Sequence, residues 1–212
     1  MKKVVVIGAG GLGRETIEIF KLQNEIRKSW EILGFIVEKE YLCSKSINNY
    51  PILGDLDWFD ENKEVGCVIA IGDTKSRKRI ADFLEEKGIL FYNAIHPLAI
   101  LSDFVHIGKD VIIGAGSYIS VNAVIKNHIV INCHSNIGHD AILENYCSIM
   151  TNVTISGKNH IEEGVYVGSG ATLIEQITIG KWTTVGAGAT VMINIPNDVT
   201  VFGMPAKMMK KS

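Results

Sequence analysis

The sequence has almost no net charge. Its 21 lysines and arginines face 23 aspartates and glutamates, a formal charge of −2. No global field therefore draws the chain to nucleic acid or to an anionic membrane surface. Long apolar runs are missing as well. The opening stretch, MKKVVVIGAG, holds four apolar residues, Val4–Ile7, before its first glycine. That is too short for a signal h-region or a membrane span, so a cytoplasmic protein without leader or anchor is expected. None of the four cysteines, Cys43, Cys67, Cys133 and Cys147, sits in a CxxC pair. They are expected to remain reduced and to behave as small apolar side chains. Proline is scarce at 4 residues and glycine plentiful at 21; otherwise the composition is that of an ordinary globular protein. The 212 residues suffice for one large or two small domains with a real core.

The chain changes character near residue 95. Before it, short apolar runs alternate with charged, amphipathic stretches. Val4–Ile7, Leu33–Val37 and Val65–Ile71 read as buried strands, and Ile89–Tyr92 as a fourth. Gly11–Leu22 and Thr74–Lys87 read as helices. Strands alternating with helices predict a small parallel sheet, an α/β domain over residues 1–94. From Ile95 to Val191 every sixth residue is Ile, Leu or Val, with no slip. A second position, four residues after each anchor, is small or aliphatic from Val111 to Ile195; Asn159 is out of character. Glycine often follows the anchor directly, as at Gly108, Gly114, Gly138, Gly168, Gly180 and Gly186.

A period of six fits neither a helix at 3.6 nor an alternating strand at 2. It fits a short strand followed by a corner, with one aliphatic side chain inward, a small one beside the corner and glycine easing the bend. Stacked coils then form a continuous apolar column, a parallel β-helix over residues 95–212 with a closing segment from Pro196 that leaves the column. The anchors are core, so chemistry has to come from residues that break the pattern.

Two such places stand out. Gly8-Ala9-Gly10-Gly11-Leu12-Gly13 fits GxGxxG between a strand and a helix. A helix N-terminus of this kind suits phosphate, and alone it suggests NAD. The first domain, however, is only about half a dinucleotide-binding fold. The other place is His139-Asp140, just after anchor Ile137. An imidazole with an ordinary pKa of about 6.5 suits a general base, and the neighbouring carboxylate suits an orienting role. The alternative is a solvated pair on a loop.

These residues resemble the hexapeptide-repeat acyltransferases with a left-handed parallel β-helix. The likeness extends to the sugar acetyltransferases with a nucleotide-binding-like N-terminal domain, the UDP-4-amino-sugar N-acetyltransferases and sialic acid O-acetyltransferases. It is carried by VVVIGAGGLGRE, YPILGD at Tyr50–Asp55, AIGD at Ala70–Asp73, IHP at Ile95–Pro97, VINCHSNIGHDA at Val130–Ala141 and VFGMPAKM at Val201–Met208. The resemblance implies acetyl-CoA as co-substrate, a sugar acceptor, and a homotrimer with sites between neighbours. It implies N-acetylation of a nucleotide-linked 4-amino sugar, with sialic acid O-acetylation as the alternative. His139 and Asp140 then match the family's catalytic His–acid pair. Gly8, Gly10, Gly11 and Gly13 would face the nucleotide diphosphate, with Glu38, Gly72 and Asp73 near the nucleoside. Asn132 would hold the acceptor or close a corner. Residues 18 apart stack, so Gly157 lies one coil from His139 and would offer its N–H to the acetyl carbonyl. Gly186, Ala187 and Gly188 would lie along the pantetheine arm. Lys207 and the Lys210–Lys211 tail would meet CoA phosphates or simply be solvated. His134-x4-His139 also resembles the metal-binding β-helix carbonic anhydrases. Their third histidine would fall at Leu98, and His96 is two residues off, so no metal is expected. His96, His106, His128 and His160 read as surface or corner residues.

Overall fold

A computed structural model of the chain describes residues 1–42 and 45–209; Cys43 and the Lys210–Lys211 pair lie outside them. The described residues form two compact units, Met1–Pro97 and Leu98–Ser212. None of their helices is long and apolar enough to cross a membrane.

The first unit is built on β1 (Lys2–Ile7), α1 (Gly11–Ile26), β2 (Trp30–Ile36), β3 (Ser46–Ile47), β4 (Tyr50–Gly54), β5 (Gly66–Ile69) and α2 (Thr74–Glu86). The sheet order is β3-β4-β2-β1-β5, parallel except for the β3–β4 hairpin. Central β1 is fully buried from Val4 to Ile7, as a strand covered on both faces must be. Helix α1 buries Gly13, Thr16, Ile17, Ile19 and Phe20, a stripe at helical spacing. Two sequence expectations change. Ile89–Tyr92 makes only an isolated bridge, Phe91 to Cys67, in place of a full strand. The β3–β4 hairpin was not expected. Its signal was the Asn48-Asn49 pair, which takes φ of 47° and 66° as a tight hairpin turn requires.

The second unit is a left-handed parallel β-helix with three faces of two-residue strands. Its first face runs from Ile100–Leu101 through Tyr118–Ile119, Asn136–Ile137, Thr154–Ile155 and Thr172–Leu173 to Thr190–Val191. Each strand pairs with the residue 18 positions on, for example Ile119 with Ile137 and Ile149 with Val167. The anchors from Ile113 to Val191 are all buried. Leu101 and Ile107, in the first coil, are only half-buried, because within the helix they stack from one side.

Three details differ from the sequence reading. The bends are not made by the glycines after the anchors. They come three residues past the anchor, where Asp110, His128, His134 and Asp140 each have φ of 56°. The glycines answer close approach instead: a Cβ on Gly138 would lie 2.5 Å from Gly157 N in the next coil. Asn159, the outlier in the small-residue row, is buried but satisfied. Its Nδ2 donates to Ser156 O and Ile174 O, and its Oδ1 accepts from Ile177 N. Finally, the chain does not leave the column at Pro196. Ile195 bridges to Ile179, and Val201 pairs with Val185, at a spacing of 16 in place of 18. One corner is shorter by two residues and the column continues. Thr200–Phe202 then closes against Lys207–Met208 as an antiparallel hairpin.

Candidate active site

In the first unit the chain leaves β1 toward β2 on one side and returns to place β5 on the other. An open α/β sheet forms its crevice at such a reversal, beyond the carboxyl ends of the strands. A cleft of 620 Å³ lies there, lined by Gly8–Leu12, Val37, Glu38, Tyr41 and Ala70–Asp73, with Ile47, Ile52 and Ser76. Gly8 has φ of 98°, and a Cβ on it would stand 2.9 Å from Ala70 O, so the β1 turn needs glycine there. Gly10 and Gly11 border open space. The first turn of α1 contributes N–H groups that have no helical acceptor.

Gly13 does not line the cleft. It is buried, and a Cβ there would lie 1.8 Å from Gly8 O. Its role is close packing of α1 on the strand turn, as in the third glycine of such fingerprints. Glu38 lines the cleft and accepts from Arg79 Nη2 at 2.6 Å. Asp73 caps α2 by accepting from Ser76 N at 2.8 Å. The Ser76 bonds hold its carboxyl below the usual range, so the cap is lost only as pH falls through that lowered value. Behind it, fully buried Arg77 donates to Ile71 O at 2.5 Å and Gly72 O at 3.3 Å, fixing the loop that forms one wall. Sequence reasoning missed Arg77 and Arg79, because α2 showed only its amphipathic pattern.

On the β-helix, His139 Nδ1 donates to Asp140 Oδ2 at 2.8 Å, with the two side chains 49% and 44% exposed. His139 and then Asn122 hold the Asp140 carboxyl below its usual range, with Lys158 adding a more distant charge. An ionised Asp140 keeps the proton on Nδ1 and leaves a lone pair on Nε2. Gly157 stands over the Nε2 end of the ring: a Cβ there would be 2.4 Å from Nε2, 2.7 Å from Cε1 and 2.9 Å from Cδ2. The Gly157 N–H donates to no group among the described residues. The stacking rule therefore puts His139, Asp140 and Gly157 together at one corner. Replacing Gly157 by alanine should push the ring aside at little cost in stability, since a side-chain end can move. A displacement of about 1 Å costs about 10²-fold in kcat. Equal melting temperature with a large loss of turnover is the expected result; unchanged turnover would detach Gly157 from the site.

The remaining expected residues lie at the corner before the Asn136–Ile137 strand. Asn132 closes that corner itself, its Oδ1 accepting from Cys133 N at 2.8 Å. Gly186, Ala187 and Gly188 stand at the same corner three coils on, with Gly186 against Phe202 of the closing hairpin. Lys207 is exposed on that hairpin. The chain thus divides these residues between two adjacent corners. The ring of His134 lies over Gly116, one coil earlier, whereas that of His139 lies over Gly157, one coil later. The two rings diverge. No group of three or more His, Cys, Asp or Glu among the described residues could hold a metal ion. His128, expected as a surface or corner residue, is a corner residue but buried, with Asp110 Oδ2 2.8 Å from its Nδ1 and Tyr146 stacked on its ring.

Residues 3–84 match the family model of the PglD N-terminal domain. No curated protein matches the chain. Among solved structures, it is similar to perosamine N-acetyltransferase from Caulobacter crescentus, solved as a histidine-to-asparagine mutant with CoA and GDP-perosamine. That match has 28% identity and a TM-score of 0.91 over 100% of this chain and 98% of the other. The acetyltransferase domain of PglB from Neisseria gonorrhoeae is 27% identical with a TM-score of 0.89, covering 99% of this chain and 100% of that one. WeeI from Acinetobacter baumannii is 26% identical with a TM-score of 0.88, again covering 99% and 100%. With a PglD N-terminal domain followed by a left-handed β-helix, the chain is similar along its whole length to the hexapeptide-repeat sugar acetyltransferases.

Proposed function

We propose that the protein transfers an acetyl group from acetyl-CoA to the amine of a nucleotide-linked amino sugar, in the cytoplasm, with His139 as general base. One observation carries this reading: the Nε2 end of the His139 ring lies against Gly157, whose N–H donates to no group among the described residues. A base and an oxyanion donor side by side are what direct aminolysis of a thioester requires. The similar enzymes support it, having been solved with CoA and GDP-perosamine or with acetyl coenzyme A.

The neutral acceptor amine attacks the acetyl carbonyl, forming the new C–N bond. Negative charge develops on the carbonyl oxygen and is met by the Gly157 N–H. His139 Nε2 takes the proton released by the amine, and Asp140 holds the imidazolium that forms. The C–S bond then breaks, and the proton passes to the departing thiolate as CoA leaves. In the first unit, the Gly8–Gly11 turn and the start of α1 receive the diphosphate. Glu38 receives a donor group of the nucleoside, and Gly72 and Asp73 form the opposite wall.

Assembly as a homotrimer completes the site. His139 and the Gly186–Gly188 stretch occupy adjacent corners of one prism. A threefold packing that sets one protomer's corner against its neighbour's unites base and donor tract, with Lys207 near the CoA phosphates. The test is a panel of amino-sugar nucleotides and sialic acids with acetyl-CoA, reading released thiol, alongside light scattering. Turnover with an amino-sugar nucleotide and a trimeric mass are expected. Turnover only with sialic acids would move the reading to O-acetylation, and no thiol release from any acceptor would sink it.

A further inference from the structure

We infer that Asn122 is a positioning residue for the His139–Asp140 pair, acting through the second oxygen of the Asp140 carboxylate. The inference rests on the acetyltransferase reading given above. Asn122 lies 18 residues before Asp140, one coil back at the same corner. Its Nδ2 donates to Asp140 Oδ1 at 3.2 Å, while Oδ2 accepts from His139 Nδ1 at 2.8 Å. The carboxylate is therefore held at both oxygens. A carboxylate on one bond alone rotates about its χ2, and the ring it orients turns with it. Held at two points, it fixes the plane of the imidazole and keeps Nε2 over Gly157.

The backbone of the corner supports the arrangement. Asn122 has φ of 58° and Asp140 has φ of 56°, left-handed conformations that asparagine and aspartate accept more readily than most residues. Asn122 therefore has two conceivable roles: it can serve the bend, or it can serve the carboxylate. Glycine separates them. It takes a positive φ without strain, so Asn122→Gly keeps the corner and removes only the amide. Asn122→Asp keeps the corner too, but sets a second carboxylate where the donor stood.

Steady-state kinetics on the full chain tests the assignment. Asn122→Gly should lower kcat by about 3- to 10-fold, the reach of one hydrogen bond, with KM little changed and no loss of melting temperature. Asn122→Asp should lower kcat at least as far. In the Asp140→Ala background, Asn122→Gly should add nothing further, because its route to His139 is already gone. Wild-type kcat in Asn122→Gly would overturn the proposal, and so would an equal loss in both backgrounds. A readout without substrate keeps the two readings apart. In carbon-13 titration of the Asp140 carboxyl, loss of the Asn122 donor should move the midpoint upward, toward the usual carboxylate range. An unmoved midpoint removes the contact. A wild-type protein with no turnover but the expected shift in midpoint would sink the acetyltransferase reading and keep the contact.

Discussion

Replacing His139 by alanine should lower kcat by about 10²–10⁴-fold, the usual weight of a positioned general base. The expectation follows from what each ring atom does. Nδ1 is tied to Asp140 Oδ2, so Nε2 is the basic atom, and that end of the ring lies against Gly157. Alanine removes the base but leaves the Gly157 N–H and the Gly186–Gly188 corner in place, so acetyl-CoA affinity should change little. Asp140→Asn should lose less than His139→Ala, because it removes orientation and charge and leaves the imidazole. His134→Ala should leave most activity, since its ring lies over Gly116, away from Gly157. A metal enzyme built on both histidines would instead lose activity at each. The pH profile should rise through one group that must be deprotonated, and Asp140, held below the usual carboxylate range by His139 and Asn122, stays ionised across it. Thiol release with acetyl-CoA and an amino-sugar nucleotide is the measurement. Wild-type turnover in His139→Ala would refute the assignment, whatever the substrate.

The period of six made the second unit legible because every coil has the same need, one aliphatic side chain per strand facing a column. Where the need is met in another way, the pattern misleads. Asn159 looks like a break, yet its amide bonds to two carbonyls and one N–H and replaces an apolar contact. The chain from Pro196 looked like a tail, because a corner shorter by two residues shifts Ile195 and Val201 out of the six-residue register while keeping them in the column. The glycines after the anchors suggest bends in the sequence, but the need they answer is the approach of the next coil, which a one-dimensional pattern does not display.

The same limit governs the site. Residues 18 apart could be paired on paper, and this found Gly157 beside His139. Applied to Asp140, it also leads to Asn122. What stacking arithmetic does not give is the direction of a side chain. His134 and His139 are five apart in sequence, and their rings go to different coils. Nor does it reveal that Asn132 bonds to its own neighbour Cys133, or that Gly13 serves packing while Gly8, Gly10 and Gly11 line the cleft. In the first unit the GxGxxG turn was visible as a motif, whereas the Glu38–Arg79 pair joins residues 41 apart and depends on how α2 lies on the sheet.

Ile149→Asp should unfold or unravel the β-helix. Ile149 is fully buried in a middle coil and is paired with Ile131 on one side and Val167 on the other. Losing the buried isoleucine side chain costs about 1.5–3 kcal/mol in apolar burial alone. A carboxylate in its place has no cation within the column, whose neighbouring anchors are all aliphatic. Burying it unpaired, or protonating it at neutral pH to avoid that charge, adds several kcal/mol more. The sum, more than about 4 kcal/mol, falls in the range reached by few single substitutions and approaches the whole stability of a typical domain, about 5–15 kcal/mol. The repeat architecture makes the damage local at first, because each coil contacts only the coils beside it, and both lose their partner at once. Ile149→Val, which keeps the shape and trims one methyl group, should cost only about 0.5–1.5 kcal/mol. Thermal and chemical denaturation of the two variants beside the wild type would separate these outcomes. For a chain of this size, the aspartate variant should lose about 10 °C or more in melting temperature, if it folds at all. An aspartate variant that melts with the wild type would mean that position 149 does not face the column, and the six-residue repeat would lose its physical basis.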